Sequence, residues 1–363
     1  MNIMNTMRIQ LNYSAPIVGL MDILEKLHNL YGREIDEQLI KYLSREVSEE
    51  FRDAVIYQVS TGGKRLRPLI TLTATRACGG DYRIALPAAA IVELIHNYSL
   101  IYDDIIDEAL LRRNKPTVRA KYGDNAAILI GIWYREAIEE AILETRDPIA
   151  FARETASTIR AIDEGERLDI LLEYAGRRDP YFVDNRLGPR LLGNWEALYN
   201  TYVKMISQKT AALIRTAAVF GAMSANATHC TKPLSDYGTY LGLAFQVLDD
   251  VLDIFGDVKK FGKEIGKDIK EHKLGNAVVV MALKELGERD REELLGILGN
   301  AVVTDNEVKR AVEIISKTNA RENALKIAMD FAEKSENALK ELGSNEFVED
   351  LREILRFTVT REF

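Results

Sequence analysis

Cysteine, proline and histidine are scarce in this chain of 363 residues, which has two, eight and four of them. Two cysteines, Cys78 and Cys230, cannot build a disulfide framework, and their spacing matches no zinc motif, so both are expected to be inert. Few runs alternate β-branched and polar residues, which leaves little room for strands. There is no excess of positive charge. The formal charge of -8 argues against nonspecific binding to nucleic acid or anionic membrane. There is also no long uncharged stretch of the kind that spans a bilayer, so no stable membrane insertion is expected. Met1 to Gln10 lacks an apolar core with a cleavage site, and the cytoplasm is the expected location.

What remains is helical periodicity. The 3.6-residue pattern predicts helices over Met21–Tyr31 and Ile35–Ser60, the second stopped by Thr61-Gly62-Gly63. Further helices are expected from Pro68 to Cys78 and from Pro87 to about Leu111. Asn125–Glu144, Ile149–Glu173, Trp195–Ser224, Leu234–Ile254, Asn276–Lys284 and Asp305–Leu342 follow. Tyr174–Asn194, with prolines, glycines and arginines, reads as a loop or an irregular excursion. No linker divides the chain, so residues 1–363 are expected to form one all-α domain with its polar chemistry inside a bundle.

Two apolar runs carry the same acidic signature, Asp103-Asp104-Ile105-Ile106-Asp107 and Asp249-Asp250-Val251-Leu252-Asp253. On a helix the first and last carboxylates of each run share a face. Like charges held together among apolar residues need a counter-charge. Hard divalent cations carrying a phosphate-bearing substrate supply one. Basic residues follow both runs: Arg112, Arg113 and Lys115 after the first, and Lys259, Lys263, Lys267 and Lys273 after the second. Upstream, Gly62-Gly63-Lys64-Arg65-Leu66-Arg67-Pro68 offers backbone N–H groups with Lys64 and Arg67 for an anion, without the spacing of a P-loop. By themselves, Lys209-Thr210 reads as surface, His96 as a core histidine and Glu164–Asp169 as a charged face.

Taken in order, these segments resemble the trans-type polyprenyl (isoprenyl) diphosphate synthases. The resemblance rests on Gly62–Pro68, His96–Asp107 with Arg112, Arg113 and Pro116-Thr117, Lys209-Thr210, Phe245–Asp253, and Gly262-Lys263 through Gly266, Asp268 and Lys273. It covers about residues 20–345 and is nearest to archaeal geranylgeranyl diphosphate synthases. It implies the isoprenoid (terpenoid) synthase bundle around a central cavity, as a homodimer. It implies head-to-tail condensation of isopentenyl diphosphate with dimethylallyl, geranyl or farnesyl diphosphate.

By that resemblance Asp103, Asp104, Asp107, Asp249, Asp250 and Asp253 hold magnesium, three ions with diphosphate bound, with manganese as a substitute. Arg112, Lys209, Lys263 and Lys273 then meet the allylic diphosphate, and Lys64, Arg67, His96 and Arg113 meet isopentenyl diphosphate. Thr210 and Gln246 line the reacting centre. Tyr98 and Ser99, one turn before Asp103, set the product length. One large and one small residue there points to a C20 product, with C15 and C25 as alternatives. A terpene cyclase or an inactive regulatory subunit fits less well, because both clusters and the basic groups are intact. Three stretches depart from the family pattern: Ile130-Gly131-Ile132 with Trp133-Tyr134, where the tunnel or the dimer contact is expected; Arg119; and the long basic Tyr174–Asn194 segment.

Overall fold

The computed structural model describes residues 20–256 and 266–360. Among the described residues the elements are helices joined by short connections, apart from one two-stranded hairpin. The first helices are α1 (Leu20–Leu43), α2 (Glu49–Ser60) and α3 (Leu66–Ala77). The break expected between Tyr31 and Ile35 is absent, and α1 continues through Gly32. A Cβ there would lie 2.6 Å from the His28 ring, so the glycine makes room for packing. The break comes instead at Ser44–Ser48, where Glu46 has φ +55 and Ser48 is extended ahead of α2.

Helix α4 (Leu86–Ile106) starts at the expected proline. Its middle, from Ala88 to Ile95, is buried on nearly every side, as an all-round apolar helix must be. Among the described residues, the stretch Tyr82–Ile106 is apolar and long enough to cross a membrane, but 67% of that window is buried in the bundle. Strands β1 (Leu111–Arg112) and β2 (Lys115–Pro116) follow, joined by Arg113 and Asn114 at φ 54 and 59. Positive φ at both turn positions is the geometry that suits a tight hairpin.

Next come α5 (Val118–Tyr122), α6 (Asp124–Leu143) and α7 (Pro148–Leu171), the last opened by Asp147 accepting from the Ala150 N–H. The expected irregular excursion contains two short helices, α8 (Pro180–Asn185) and α9 (Gly188–Leu191). The helical run from Trp195 to Ser224 divides into α10 (Trp195–Ile206), a π-helical turn over Ser207–Ala211, and α11 (Ala212–Ser224). Helix α12 (Thr228–Phe255) begins earlier than expected and takes Pro233 inside it.

The rest comprises α13 (Lys267–Lys270), α14 (Ala277–Glu285), α15 (Glu288–Leu298), α16 (Asp305–Ile315), α17 (Ala320–Lys340) and α18 (Glu346–Val359). The single helix expected over Asp305–Leu342 is therefore two, separated at Ser316–Asn319. Buried residues from α1 to α18 join in one apolar cluster. The thiol of Cys78 is pushed up by burial and by its contact with Cys230, which keeps it protonated.

Candidate active site

Both aspartate clusters end long helices. Asp103 and Asp104 close α4, with Asp107 as its C-cap, and Asp249, Asp250 and Asp253 lie in the last turns of α12. A helix C-terminus is the negative end of its dipole, so these carboxylates add to an unfavourable field. Each has to be met by a cation or by hydrogen-bond donors.

The first cluster meets cations. The hairpin turns Arg112 back so that Nη2 lies 3.1 Å from Asp103 and 2.8 Å from Asp104. Lys209 Nζ lies 3.7 Å from Asp103. Arg177, from the excursion, pairs with Asp107 at 2.8 Å. Burial would raise the Asp103 carboxyl, but Lys209, Arg112 and Lys273 hold it below its ordinary value. For Asp104 burial wins over Arg112 and the carboxyl is pushed up.

The second cluster meets mainly neutral donors. Asp250 accepts from Tyr202 Oη, Gln246 Nε2 and the Ala277 N–H, each at 2.8 Å. Asp253 accepts from the Asp268 N–H at 3.2 Å. Burial and the neighbouring Asp268 push Asp250 well above the usual carboxylate range and Asp253 up to about 8.

The π-turn links the two. It places Lys209 and Thr210 side by side on the cavity wall, and such turns frequently mark functional sites. Thr210 Oγ1 donates to Gln246 Oε1 at 2.6 Å. Lys209 sits 2.6 Å from both Glu166 and Asp169 on α7, and Asp169 also meets Lys273 at 3.2 Å. Asp169, Glu166 and Asp103 outweigh burial and raise the Lys209 ammonium well above its usual value. Two glycines permit this crowding. A Cβ on Gly165 of α7 would fall 2.3 Å from the Lys209 nitrogen, and one on Gly242 of α12 would fall 2.5 Å from the Ala211 Cα.

A cavity of about 360 Å³ opens beside the first cluster. Asp103, Glu166, Lys209, Thr210, Arg67 and His96 line its polar part, and Tyr98, Ser99, Tyr102, Ile162 and Leu213 line its apolar part. The rings of Tyr98 and Tyr102 pack edge to face, 5.0 Å between centroids. Around His96 the charge is positive. Burial, with Arg67, Arg113 and Arg112 close by, holds the imidazole well below its usual pKa, so it is neutral near pH 7. Burial lowers the Arg67 guanidinium to about 10, and among the described residues its buried Nε meets no hydrogen-bond partner. Arg113 donates to the Gly62 carbonyl, which joins the hairpin to the Gly62–Pro68 loop. Lys64 is exposed on that loop, 5.1 Å over the Phe357 ring.

Residues 48–315 match the family model for polyprenyl synthetase. This chain belongs to the polyprenyl synthetase family. It is similar to a short chain isoprenyl diphosphate synthase of Methanothermobacter thermautotrophicus, 34% identical over 95% of this chain and 100% of that one. It is equally similar to a geranylgeranyl diphosphate synthase of Saccharolobus solfataricus, 34% identical over 92% and 98% of the two chains. Among solved structures it superposes on a polyprenyl synthase of Caulobacter crescentus complexed with calcium and isoprenyl diphosphate, with TM-score 0.80 and 29% identity over 93% and 98%. The expected isoprenoid synthase bundle is thus the fold of this prenyltransferase.

Within this polyprenyl synthetase fold the carboxylates do not form a finished metal cage. Among the described residues no three His, Cys, Asp or Glu side chains gather as one. A hard divalent cation can take one or two carboxylates and complete its shell with water and substrate phosphate. The carboxyls of Asp250 and Asp253, raised by burial and by the neighbouring Asp268, fit a site that receives a cation.

Glu164–Asp169 is not simply a charged surface. Glu164 and Arg167 pair outward at 2.6 Å, while Glu166 and Asp169 turn inward to Lys209. Their three-residue spacing on one helical face, next to a mid-helix glycine, was the available signal. Arg177, Tyr202 and Asn276 carried no such signal. Trp133 and Tyr134 leave the cavity alone: Trp133 Nε1 donates to the Leu43 carbonyl at 3.0 Å, and Tyr134 Oη donates to the Val55 carbonyl at 3.0 Å. The stretch is expected at the tunnel or the dimer contact, and neither Trp133 nor Tyr134 lines this cavity. Arg119 is taken up by Asp124 at 2.7 Å. Lys263 and Lys259 lie outside the described residues.

Proposed function

We propose that this enzyme condenses isopentenyl diphosphate head to tail with dimethylallyl, geranyl or farnesyl diphosphate and releases diphosphate and a C20 all-trans prenyl diphosphate. The observation that carries this reading is one cavity with an acidic cluster at its rim, an arginine-rich corner around His96 and an apolar end at Tyr98.

Asp103, Asp104 and Asp107 on one side, and Asp249, Asp250 and Asp253 on the other, hold the divalent cations in this reading. Magnesium, or manganese in its place, supplies charge that offsets the negative charge of the departing diphosphate. Arg112 and Lys209 add fixed positive charge where that diphosphate leaves, with Lys263 and Lys273 beside them. Arg67, Arg113 and Lys64 hold the second diphosphate, and neutral His96 donates a hydrogen bond to it. The buried Nε of Arg67, which meets no partner among the described residues, supports that anion site. Thr210 and Gln246 orient the reacting carbons. The apolar walls exclude water from the allylic cation, and the released diphosphate takes the proton that completes the double bond.

Tyr98 and Ser99 end the tunnel. Ile128, Leu129 and Ile132 on α6 are 41%, 57% and 49% exposed, an apolar face that suits a second copy of this chain as a cytoplasmic homodimer. The test is incubation with isopentenyl diphosphate, each allylic starter and magnesium, followed by sizing of the dephosphorylated product. A C20 chain is expected, and C15 or C25 would replace it directly. Absence of elongation with every starter overturns the proposal. Tyr98→Ala is expected to add at least one five-carbon unit, and unchanged length moves the floor elsewhere.

A further inference from the structure

Arg177 stands at the start of the excursion, with its side chain in the active-site rim. Its Nη2 lies 2.8 Å from Asp107 Oδ1 and its Nε 3.0 Å from Glu173 Oε1, while Nη1 donates to the Ile106 carbonyl. One guanidinium thus ties the C-terminus of α4 to that of α7, and it serves a carbonyl that the end of α4 leaves unpaired. Asp107 and Glu173 side chains are 13% and 4% exposed, so neither leans on water alone.

The backbone behind Arg177 is anchored. The Tyr174 N–H donates to the His272 carbonyl at 2.8 Å, and Arg186 donates to the Arg177 carbonyl at 3.1 Å. Gly176, at φ +100, leaves space that a Cβ would fill 2.6 Å from the His272 ring. Arg177 is therefore built into the strip that also carries Asp268 and Lys273. Among the described residues it is the cation within ion-pair distance of Asp107.

We infer that Arg177 is a positioning residue, a tethered internal cation that occupies Asp107 in the metal-free protein and yields that carboxylate when a divalent cation arrives. This rests on the metal-holding role proposed above for the first cluster. A guanidinium and a divalent ion compete for the same carboxylate oxygens, so the pairing opposes metal binding. Glu173 remains as the second partner, so the exchange does not strand a guanidinium without a counter-ion. The outer cavity beside it, about 970 Å³ and lined also by Arg178 and Glu271, leaves room for the side chain to swing.

The experiment is binding of Mn²⁺ alone, read from the electron paramagnetic resonance signal of the free ion. Wild type is compared with Arg177→Ala, Arg177→Lys and the double variant Arg177→Ala/Asp107→Asn. Arg177→Ala is expected to bind Mn²⁺ about tenfold more tightly, on the scale of a partly buried charge pair. Arg177→Lys should fall between it and wild type. Adding Asp107→Asn should abolish the gain, because the two residues act on each other. A merely structural role predicts the opposite sign. Unchanged or weaker binding in a cooperatively melting Arg177→Ala protein overturns the inference, as does a gain that survives Asp107→Asn. If Arg177→Ala does not fold, Arg177→Gln takes its place with the same expected sign. Failure of every variant, wild type included, to bind Mn²⁺ removes the metal reading of the cluster and the inference with it.

Discussion

Asp103, Asp104 and Asp107 are met by Arg112, Lys209 and Arg177, whereas Asp250 and Asp253 are met by a tyrosine, an amide and backbone N–H groups. The spacing of the aspartates is the same in both runs, and the charged groups around them differ. Around the first cluster, cations offset the field at the end of α4. Around the second, Asp268 adds a further carboxylate, and burial with that neighbour pushes the Asp250 and Asp253 carboxyls up. Among the described residues, the first cluster therefore faces arginine and lysine side chains, whereas Asp250 and Asp253 face mainly neutral donors. A motif specifies which ligands are present, and its surroundings specify what a metal must exchange for them.

The largest expected effect tests whether the clusters serve one reaction. Asp103→Asn and Asp249→Asn should each lower kcat by about 10²-fold or more, because each removes charge from metal–diphosphate contacts. A near-normal rate in either variant would break the picture of two cooperating halves.

Stability sharpens the contrast. Asp103→Asn removes a carboxylate that Lys209 and Arg112 hold in its ionised form, so urea denaturation without metal should show a loss of about 2–3 kcal/mol. Asp253→Asn replaces a carboxyl pushed up to about 8, and the amide oxygen can still accept from the Asp268 N–H, so the loss should stay within about 1 kcal/mol. Equal losses would mean that the two environments are alike.

The smallest effect is on pH. Asp253 is raised from its ordinary value to about 8, so between about pH 4 and pH 8 the folded chain holds a proton that the unfolded chain has lost. Metal-free stability should therefore decline as pH rises through that window. Magnesium, which takes the deprotonated form, should flatten the decline. Denaturation midpoints at pH 5, 6.5 and 8, with chelator and with magnesium, read this directly. A rise with pH in the chelated protein would contradict the charge-poor reading of the second cluster.

Much of the bundle was legible because helices announce themselves locally. Pro87 at the start of α4 and Asn276 at the head of α14 are signals that need no distant partner. The failures have physical reasons. A break is expected between Tyr31 and Ile35 because the periodicity does not reveal that the chain stays helical through Gly32 beside the His28 ring. The position of Trp133 along α6 does not disclose its rotation toward Leu43 and Phe51. Glu166 and Asp169 looked solvated because their partner, Lys209, is some forty residues away.

The sequence by itself determined the helical class, the family and the identity of the acidic and basic groups, since periodicity and ordered motifs are local properties of the chain. Only the tertiary structure decided which cation faces which carboxylate. Arg112 reaches Asp103 through a hairpin, Lys209 through a π-turn that Gly165 and Gly242 admit, and Arg177 through an anchored excursion. Coulomb energy and desolvation depend on distance and burial in space, and neither follows from separation along the chain.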